Sequence, residues 1–366
     1  MGDDFNKVLI LADYGSINLA KKVHKELSKL KMYGGLEEFN VEDIYINKFN
    51  NGEIDVKLKS SMRGKDVFLI KSFNVFQKRW DKTKNLPPLD ELIYDPNQGY
   101  NELFIINDAL KRARAKRITN ILPHMPYQRQ DRRPKRKGEF VRGSISAKLF
   151  ANLLQTSGAT QIITLDPHFK QFEGFYDMGV DCLDSFVLFA EDIENNFKDK
   201  IERSIFIAPD HGSVELARDY AKHFKRPYAI IDKRRNEEGK SEVLNIISDI
   251  KNLEGFCGFL VDDIIDTGNT IIKASQALRT KGLEEFIVYC THPVLSLDAK
   301  ERLLEEDIDL ITTNSIAIPY LFRYPNIKII DTSHLICKAI YCICNGESID
   351  KHLVNFEMYK KDKLTP

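Results

Sequence analysis

GFLVDDIIDTGNT, residues 258–270, reads as the passage from a buried strand through a loop into a helix. Phe259, Leu260 and Val261 form an apolar run that stops at two carboxylates, Asp262 and Asp263. Asp266, Thr267, Gly268, Asn269 and Thr270 then make a short loop, and a helix is expected from Ile271 onward. Backbone N–H groups at such a helix start, together with the positive end of its dipole, favour an anion. Carboxylates one turn back can face hydroxyls or a metal ion. The stretch therefore predicts a loop built to hold a phosphorylated ligand.

The 366 residues are 43% hydrophobic, which suits about two domains, each with its own core. Lys+Arg and Asp+Glu balance at 54 each, so no global field draws the chain to nucleic acid or to an anionic membrane. No apolar run approaches the roughly 18 residues of a spanning helix. Cys182, Cys257, Cys290, Cys337, Cys342 and Cys344 form no CxxC pair, and no histidine stands at finger spacing. Reduced thiols and a soluble, cytoplasmic protein are expected.

Outward from the opening stretch, the chain alternates strands and helices. A buried strand is predicted over 7–12 and a helix over 17–30, where Leu19, Ala20, Val23, Leu27 and Leu30 recur at helical spacing. Ile54, Val56 and Leu58 alternate like a half-exposed strand, and 67–70 reads as a buried one. The turn before Ile54 carries Phe49, Asn51, Gly52 and Glu53; its aromatic ring either plugs the core or offers itself to a nucleobase. Residues 74–99 hold the only tryptophan, Trp80, and show no clean period, so they read as a long loop or insertion. A helix over 102–114 and a strand over 118–123 lead into the most basic segment of the chain, residues 129–142. That segment is a solvated loop, a nucleic-acid patch or a lid over a polyphosphate. With only Tyr127 and Phe140 interleaved, and a capped helix predicted over 144–154, the lid fits best.

Further strands are predicted over 161–165, 204–208 and 228–231. They end at Asp166-Pro167-His168, at Pro209-Asp210-His211-Gly212-Ser213 and at Asp232-Lys233-Arg234-Arg235. Helices over 214–223, 271–281 and 297–305, a strand over 286–289 and short strands near Leu310 and Ile327 complete the pattern. Strands alternating with helices predict a parallel sheet whose carboxyl ends collect ligands. Singly, His168 reads as structural and Lys233 with Arg235 as surface ion-pair partners. Together, a metal pair (His168, Asp210), a cationic hook (Lys233, Arg235), the 262–270 loop and the basic lid describe a site for two phosphorylated substrates and a divalent cation.

These ordered blocks resemble the ribose-phosphate pyrophosphokinases, also called phosphoribosyl pyrophosphate synthetases. The resemblance runs from about Lys7 to the NGES segment near the C-terminus. It is carried by FNNGEIDVKL with SMRGKDVFLI, PYQRQDRR followed by SISAKLFANLL, TLDPH, APDHG, IIDKRR, VDDIIDTGNTI and YCTHP. It implies an α/β fold of two similar phosphoribosyltransferase-like domains, each a mostly parallel sheet flanked by helices. Residues 1–165 would form the first and 166–366 the second, with the C-terminal segment packing back on the first. The implied reaction moves the β,γ-diphosphoryl group of Mg-ATP to the anomeric hydroxyl of ribose 5-phosphate, giving phosphoribosyl pyrophosphate and AMP.

By matching motifs, the resemblance gives ATP to Phe49, Asn51, Glu53, Arg129, Gln130, Asp131 and His168, and Mg²⁺ to His168 and Asp210. Asp262 and Asp263 would take the ribose hydroxyls, and Asp266, Thr267, Gly268, Asn269 and Thr270 the 5-phosphate. Lys233, Arg235 and Arg129 would stabilise charge on the transferred group. The family pattern also implies dimers assembled into hexamers, and no nucleic-acid or membrane partner.

The chain departs from that pattern at several points. Ser213 stands where a second glycine is usual after the APDxG block, and 215–217 (ELA) where a basic residue often follows. Asn269 replaces a common glycine, which places a side chain near the ligand and asks that residue to tolerate positive φ. The 74–99 insertion is unusual. Ser61 and Arg63 match the regulatory region, but Asp350 stands where phosphate-activated members carry a hydroxyl. An acid there repels the anion, so activation by inorganic phosphate is expected to be weak or absent. A non-catalytic homologue that assembles with an active synthetase would accommodate the insertion, but would be expected to lose parts of the lid or hook that are present here. A phosphoribosyltransferase would leave DKRR and the first half unexplained.

Overall fold

Val8, Ile10 and Ala12 bury on one face of the first strand and Leu9 and Leu11 on the other, the signature of a strand covered on both sides. The computed structural model describes residues 8–29, 44–73, 96–133, 135–136, 139–140, 142–169, 171–235, 242–250, 252–317 and 321–349. The first half contains β1 (Val8–Ala12), α1 (Ile17–Lys29), β2 (Ile44–Lys48), β3 (Ile54–Leu58), β4 (Asp66–Ile70), α2 (Pro96–Arg112) and β5 (Arg117–Leu122). It continues through β6 (Lys135–Arg136), β7 (Glu139–Phe140), α3 (Ser146–Ser157), β8 (Gln161–Leu165), β9 (Gly179–Leu183) and α4 (Phe186–Asn196). The second half contains β10 (Ser204–Ala208), α5 (Val214–Phe224), β11 (Tyr228–Arg235), β12 (Glu242–Ser248), β13 (Cys257–Ile265) and α6 (Asn269–Arg279). It ends with β14 (Glu285–Pro293), α7 (Ala299–Glu305), β15 (Leu310–Thr313), β16 (Ile327–Ile330) and α8 (Ser333–Asn345).

Two sheets carry the fold, as the α/β reading expects. One is all parallel, in the order β1-β4-β5-β8-β9; the other runs β12-β11-β10-β13-β14-β15-β16, parallel except for β12. Between them lies one continuous core that joins Ile10 and Phe68 of the first sheet to Phe206, Phe259 and Tyr289 of the second through α1, α4, α5 and α8. Helices α2 and α3 cover the outer face of the first sheet, and α6 and α7 that of the second. In α8, Leu335, Ile336, Ala339 and Ile340 share the central core with Leu19, Ala20 and Val23 of α1. β9 pairs with β8, which carries the first sheet past the expected boundary at 165/166 to Leu183.

Several elements differ from expectation. β13 does not stop at the paired acids but continues to Ile265, because it pairs with β14 as far as Ile265↔Pro293. Likewise β11 runs through Asp232 to Arg235 in an antiparallel hairpin with β12, so the DKRR segment lies within a strand rather than after one. Helix α2 begins at Pro96, six residues earlier than its apolar period suggests; proline suits a first helical position, where its missing N–H costs nothing. The insertion's remaining residues, 74–95, and Asp350 lie outside the described residues. No side-chain cap forms at the start of α3. β2, β9, α4 and α8 carry no sequence expectation. None of the six cysteines forms a disulfide, and no described helix is long and apolar enough to cross a membrane.

Candidate active site

The strand order of the second sheet reverses between β10 and β13: the chain builds outward from β10 through β11 to β12, then crosses to β13 and builds the other way. The two connections that leave the carboxyl ends there diverge and open a crevice. A cleft of about 350 Å³ occupies that place. Its walls come from the turn after β10 (Asp210, Gly212, Ser213), from the end of β13 and the start of α6 (262–271), and from Arg129 and His168 of the first sheet's loops.

Two glycines in this stretch have identifiable duties. At Gly258 a Cβ would come within 2.7 Å of Leu283 Cδ2 and 3.0 Å of Ile207 Cδ1, so a side chain there would force those core side chains to shift. Gly268 has φ +75° and sits immediately before the first residue of α6, a conformation that glycine adopts without strain. The expected demand on Asn269 is therefore absent: the positive φ falls on Gly268, and Asn269 starts the helix. Its side-chain oxygen accepts a 2.7 Å bond from Arg302 Nη2.

Adjacent acids on a strand point apart, and the site uses this. Asp262 is buried and accepts from Ser213 Oγ at 2.5 Å, which gives the departure at Ser213 a partner. Burial, then the charge of Asp263, pushes the Asp262 carboxyl well above its ordinary range. Asp263 turns to His168, with Nδ1 and Oδ2 2.6 Å apart. Burial alone would raise Asp263, but the bond and charge of His168 outweigh it and hold the carboxyl below the ordinary range. The Asp263 bond raises His168 in turn, against the desolvation that lowers it, with a further contribution from the charge of Asp131. His168 is steadied through its backbone, which donates to Gln128 Oε1. Asp210 Oδ1 accepts from Gly212 N at 2.8 Å and fixes the turn after β10.

Above these acids, Arg129 Nη1 donates to Asp266 Oδ2 at 2.7 Å, while the other oxygen of Asp266 accepts from Ser296 Oγ. Beneath them, Asp166 accepts from Ser185 and Thr291, and His292 bridges Ser315 Oγ to the carbonyls of Leu165 and Asp166. These bonds tie β8 of one sheet to β14 of the other and set the spacing of the cleft walls.

The structure thus brings together Arg129, His168, Asp210, Asp262, Asp263, Asp266, Thr267, Gly268, Asn269 and Thr270. It does not bring Phe49, Asn51, Glu53, Gln130 or Asp131 into the lining. Phe49 is 51% exposed at the tip of the β2–β3 hairpin, which excludes the core-plug reading. Its turn is closed by Gly52 N to Phe49 O at 2.8 Å and by Glu53 N to Asn51 Oδ1 at 3.1 Å. The backbones of Lys233 and Arg235 lie in β11, beside β10; their side chains are outside the described residues. Sequence reasoning missed Ser296 and Arg302, which are polar residues outside any quoted strand end, and quoted Gln128 only within the PYQRQDRR block. It quoted His292 only within a block.

Residues 8–158 match the model of the N-terminal domain of ribose phosphate pyrophosphokinase, and residues 188–321 that of the phosphoribosyl transferase domain. The ribose-phosphate pyrophosphokinase of Staphylococcus epidermidis is 39% identical over 305 residues, 83% of this chain and 87% of that protein. The enzyme of the same name from Corynebacterium ammoniagenes is 37% identical over 335 residues, 91% and 94% of the two chains. Among solved structures, the phosphoribosylpyrophosphate synthetase from Mycobacterium smegmatis aligns with a TM-score of 0.77 at 32% identity, covering 93% of this chain and 99% of that one.

Proposed function

The chain belongs to the ribose-phosphate pyrophosphokinase family, and we propose how its own residues divide the labour of the reaction. It is a diphosphokinase that joins ribose 5-phosphate to the β,γ-diphosphoryl group of ATP and releases AMP. One observation carries the assignment to this cleft: the 266–270 loop at the start of α6 stands opposite Arg129 and His168, so a phosphate cradle and a polyphosphate-facing wall share one space.

Ribose 5-phosphate lays its phosphate against the loop, where the backbone N–H groups of a helix start and the positive end of its dipole favour an anion. Asp263, kept ionised by His168, accepts from the ribose hydroxyls, and Asp262 supports it from the buried side. The anomeric oxygen then attacks the β-phosphorus. A bond forms from that oxygen to phosphorus, the hydroxyl proton passes to solvent, the bond from phosphorus to the bridging oxygen of the α-phosphate breaks, and AMP leaves with the electron pair. Such transfer needs positioning and neutralisation of spreading negative charge more than covalent help. Arg129, Lys233 and Arg235 supply that positive charge.

Mg²⁺ is the cation we assign to His168 and Asp210. The donors fit a hard ion that keeps much of its water. With Nδ1 committed to Asp263, the imidazole presents Nε2, the arrangement in which a carboxylate orients a ligating histidine. No group of three or more His, Cys, Asp or Glu among the described residues forms a ready cage, so His168 and Asp210 would hold the ion only together with ligands from outside the protein. When bound, the ion neutralises charge on the diphosphoryl group.

We assign the nucleobase to the Phe49 hairpin, with Asn51, Glu53, Gln130 and Asp131 as the remaining ATP contacts. Because the hairpin tip stands outside this chain's own cleft, a homo-oligomer built from dimers offers a neighbouring copy's tip to each site. Leu149 and Leu153, both exposed on one face of α3, are apolar surface available to such contacts. The test is formation of AMP from ATP and ribose 5-phosphate with Mg²⁺. A folded preparation that forms none with any divalent cation refutes the assignment.

A further inference from the structure

The loop that would take the 5-phosphate is held from behind by residues that do not line the cleft. Leu295 N donates to Ile265 O at 3.0 Å, and Ser296 N donates to Asp266 O at 3.1 Å. Leu295 and Leu297 adopt left-handed φ of +43° and +59°, which is costly for a non-glycine residue and persists where surrounding structure demands it. One turn into α7, Arg302 reaches back with both arms of its guanidinium: Nη1 to Thr267 O at 3.2 Å and Nη2 to Asn269 Oδ1 at 2.7 Å.

The first of these bonds has a geometric consequence. Thr267 C=O and Gly268 N–H belong to one planar trans peptide and point in opposite directions. Tying the carbonyl to α7 therefore aims the Gly268 N–H to the opposite side, away from Arg302. Gly268 has no side chain to resist that rotation, and its φ of +75° is the price of turning the chain there. The second bond pins the first residue of α6. Asn269, which replaces the glycine common at this position, is what gives the guanidinium its second anchor. The planar fork of arginine suits two divergent acceptors in a way that a lysine ammonium does not.

We propose that Arg302 is a positioning residue for ribose 5-phosphate, acting through Thr267 and Asn269 to hold the phosphate loop in its anion-accepting conformation. Its charge lies behind the loop and adds a fixed cation to the field that draws the phosphate in. The inference rests on the proposed assignment of ribose 5-phosphate to this cleft.

The test compares wild type, Arg302→Met, Arg302→Lys, Asn269→Gly and the Arg302→Met/Asn269→Gly pair, scored by KM for each substrate, kcat, and ribose 5-phosphate binding by calorimetry. Arg302→Met should raise KM and Kd for ribose 5-phosphate about tenfold, the scale of a lost charge-assisted bond, while KM for ATP and the melting temperature stay unchanged. Arg302→Lys should recover part of the loss. In the Asn269→Gly background the same arginine change should cost less, because one of its two bonds is already gone. Unchanged ribose 5-phosphate constants in Arg302→Met overturn the inference. So does a rise in both KM values together with a fall in melting temperature, which marks a structural role only. Absence of ribose 5-phosphate binding and of AMP formation in the wild type overturns the underlying assignment instead.

Discussion

Arg129 Nη1 lies 2.7 Å from Asp266 Oδ2, so a cation from the loop after β5 of the first sheet pairs with an acid of the second sheet's 266–270 loop. The same guanidinium is proposed to serve ATP, and an anionic partner on Asp266 offsets part of the charge it offers there. The pair is partly exposed, 60% and 32% at its two side chains, so its strength is that of a surface ion pair, about 1 kcal/mol at most. Asp266→Asn should therefore leave stability nearly unchanged and tighten ATP binding, measured without ribose 5-phosphate, by up to about fivefold. Arg129→Ala should weaken it. Equal ATP affinity in wild type and Asp266→Asn would mean that the pair does not compete with ATP.

Lys233 is assigned to charge that develops only during transfer. Its backbone pairs with Leu244 in the β11–β12 hairpin, next to β10, whose following turn holds Asp210. Lys233→Ala should lower kcat by about a hundredfold or more and leave ribose 5-phosphate affinity little changed. Loss of affinity with kcat intact would move the residue to ground-state binding.

The fold was legible because its signals are local and repeated. Leu19, Ala20, Val23 and Leu27 keep helical spacing and all four are buried in α1; Phe259, Leu260 and Val261 are a buried strand in both readings. Boundaries were not legible where tertiary pairing decides them. Nothing in VDDII says that the ladder to β14 will carry two carboxylates within a strand, and nothing in DKRR says that β12 will fold back on it. The cleft's own residues stood at strand ends and could be found by that rule. Arg302 could not, since a basic residue one turn into a helix looks like any solvated face until the loop it touches is placed beside it.

His168 and Asp263 make a pH-dependent couple. The imidazole is raised above its ordinary value, so the stability it contributes is fully present below about pH 6.5 and lost as pH rises through the folded value. The carboxyl is lowered, so its contribution is present above about pH 3.9 and lost as pH falls through the folded value. The ligand-free protein should show this contribution fading on the alkaline side, and His168→Asn should remove that part of the profile in thermal melts. Metal binding needs the neutral imidazole and should strengthen over the same window. A wild-type melting profile that parallels the mutant's from pH 6 to pH 9 would refute the coupling.

Asp262 should behave in the opposite sense to its neighbour. Burial and the adjacent Asp263 raise its carboxyl, so the folded chain favours the protonated form. Stability tied to that group is complete below about pH 3.9 and declines as pH rises through the folded value, because burial and Asp263 disfavour the ionised form. Asp262→Asn keeps the shape, still accepts from Ser213 Oγ through its amide oxygen, and removes the charge. The variant should melt higher than wild type at pH 8, by about 2 °C or more, and the gain should shrink toward pH 4. Its affinity for ribose 5-phosphate should fall, because the amide removes the carboxyl proposed to serve the ribose hydroxyls. Such a split, more stable yet weaker in binding, is the pattern of an acid retained for function at the expense of the fold. If Asp262→Asn instead melts lower at pH 8, the carboxylate is compensated in the folded state and its burial carries no cost.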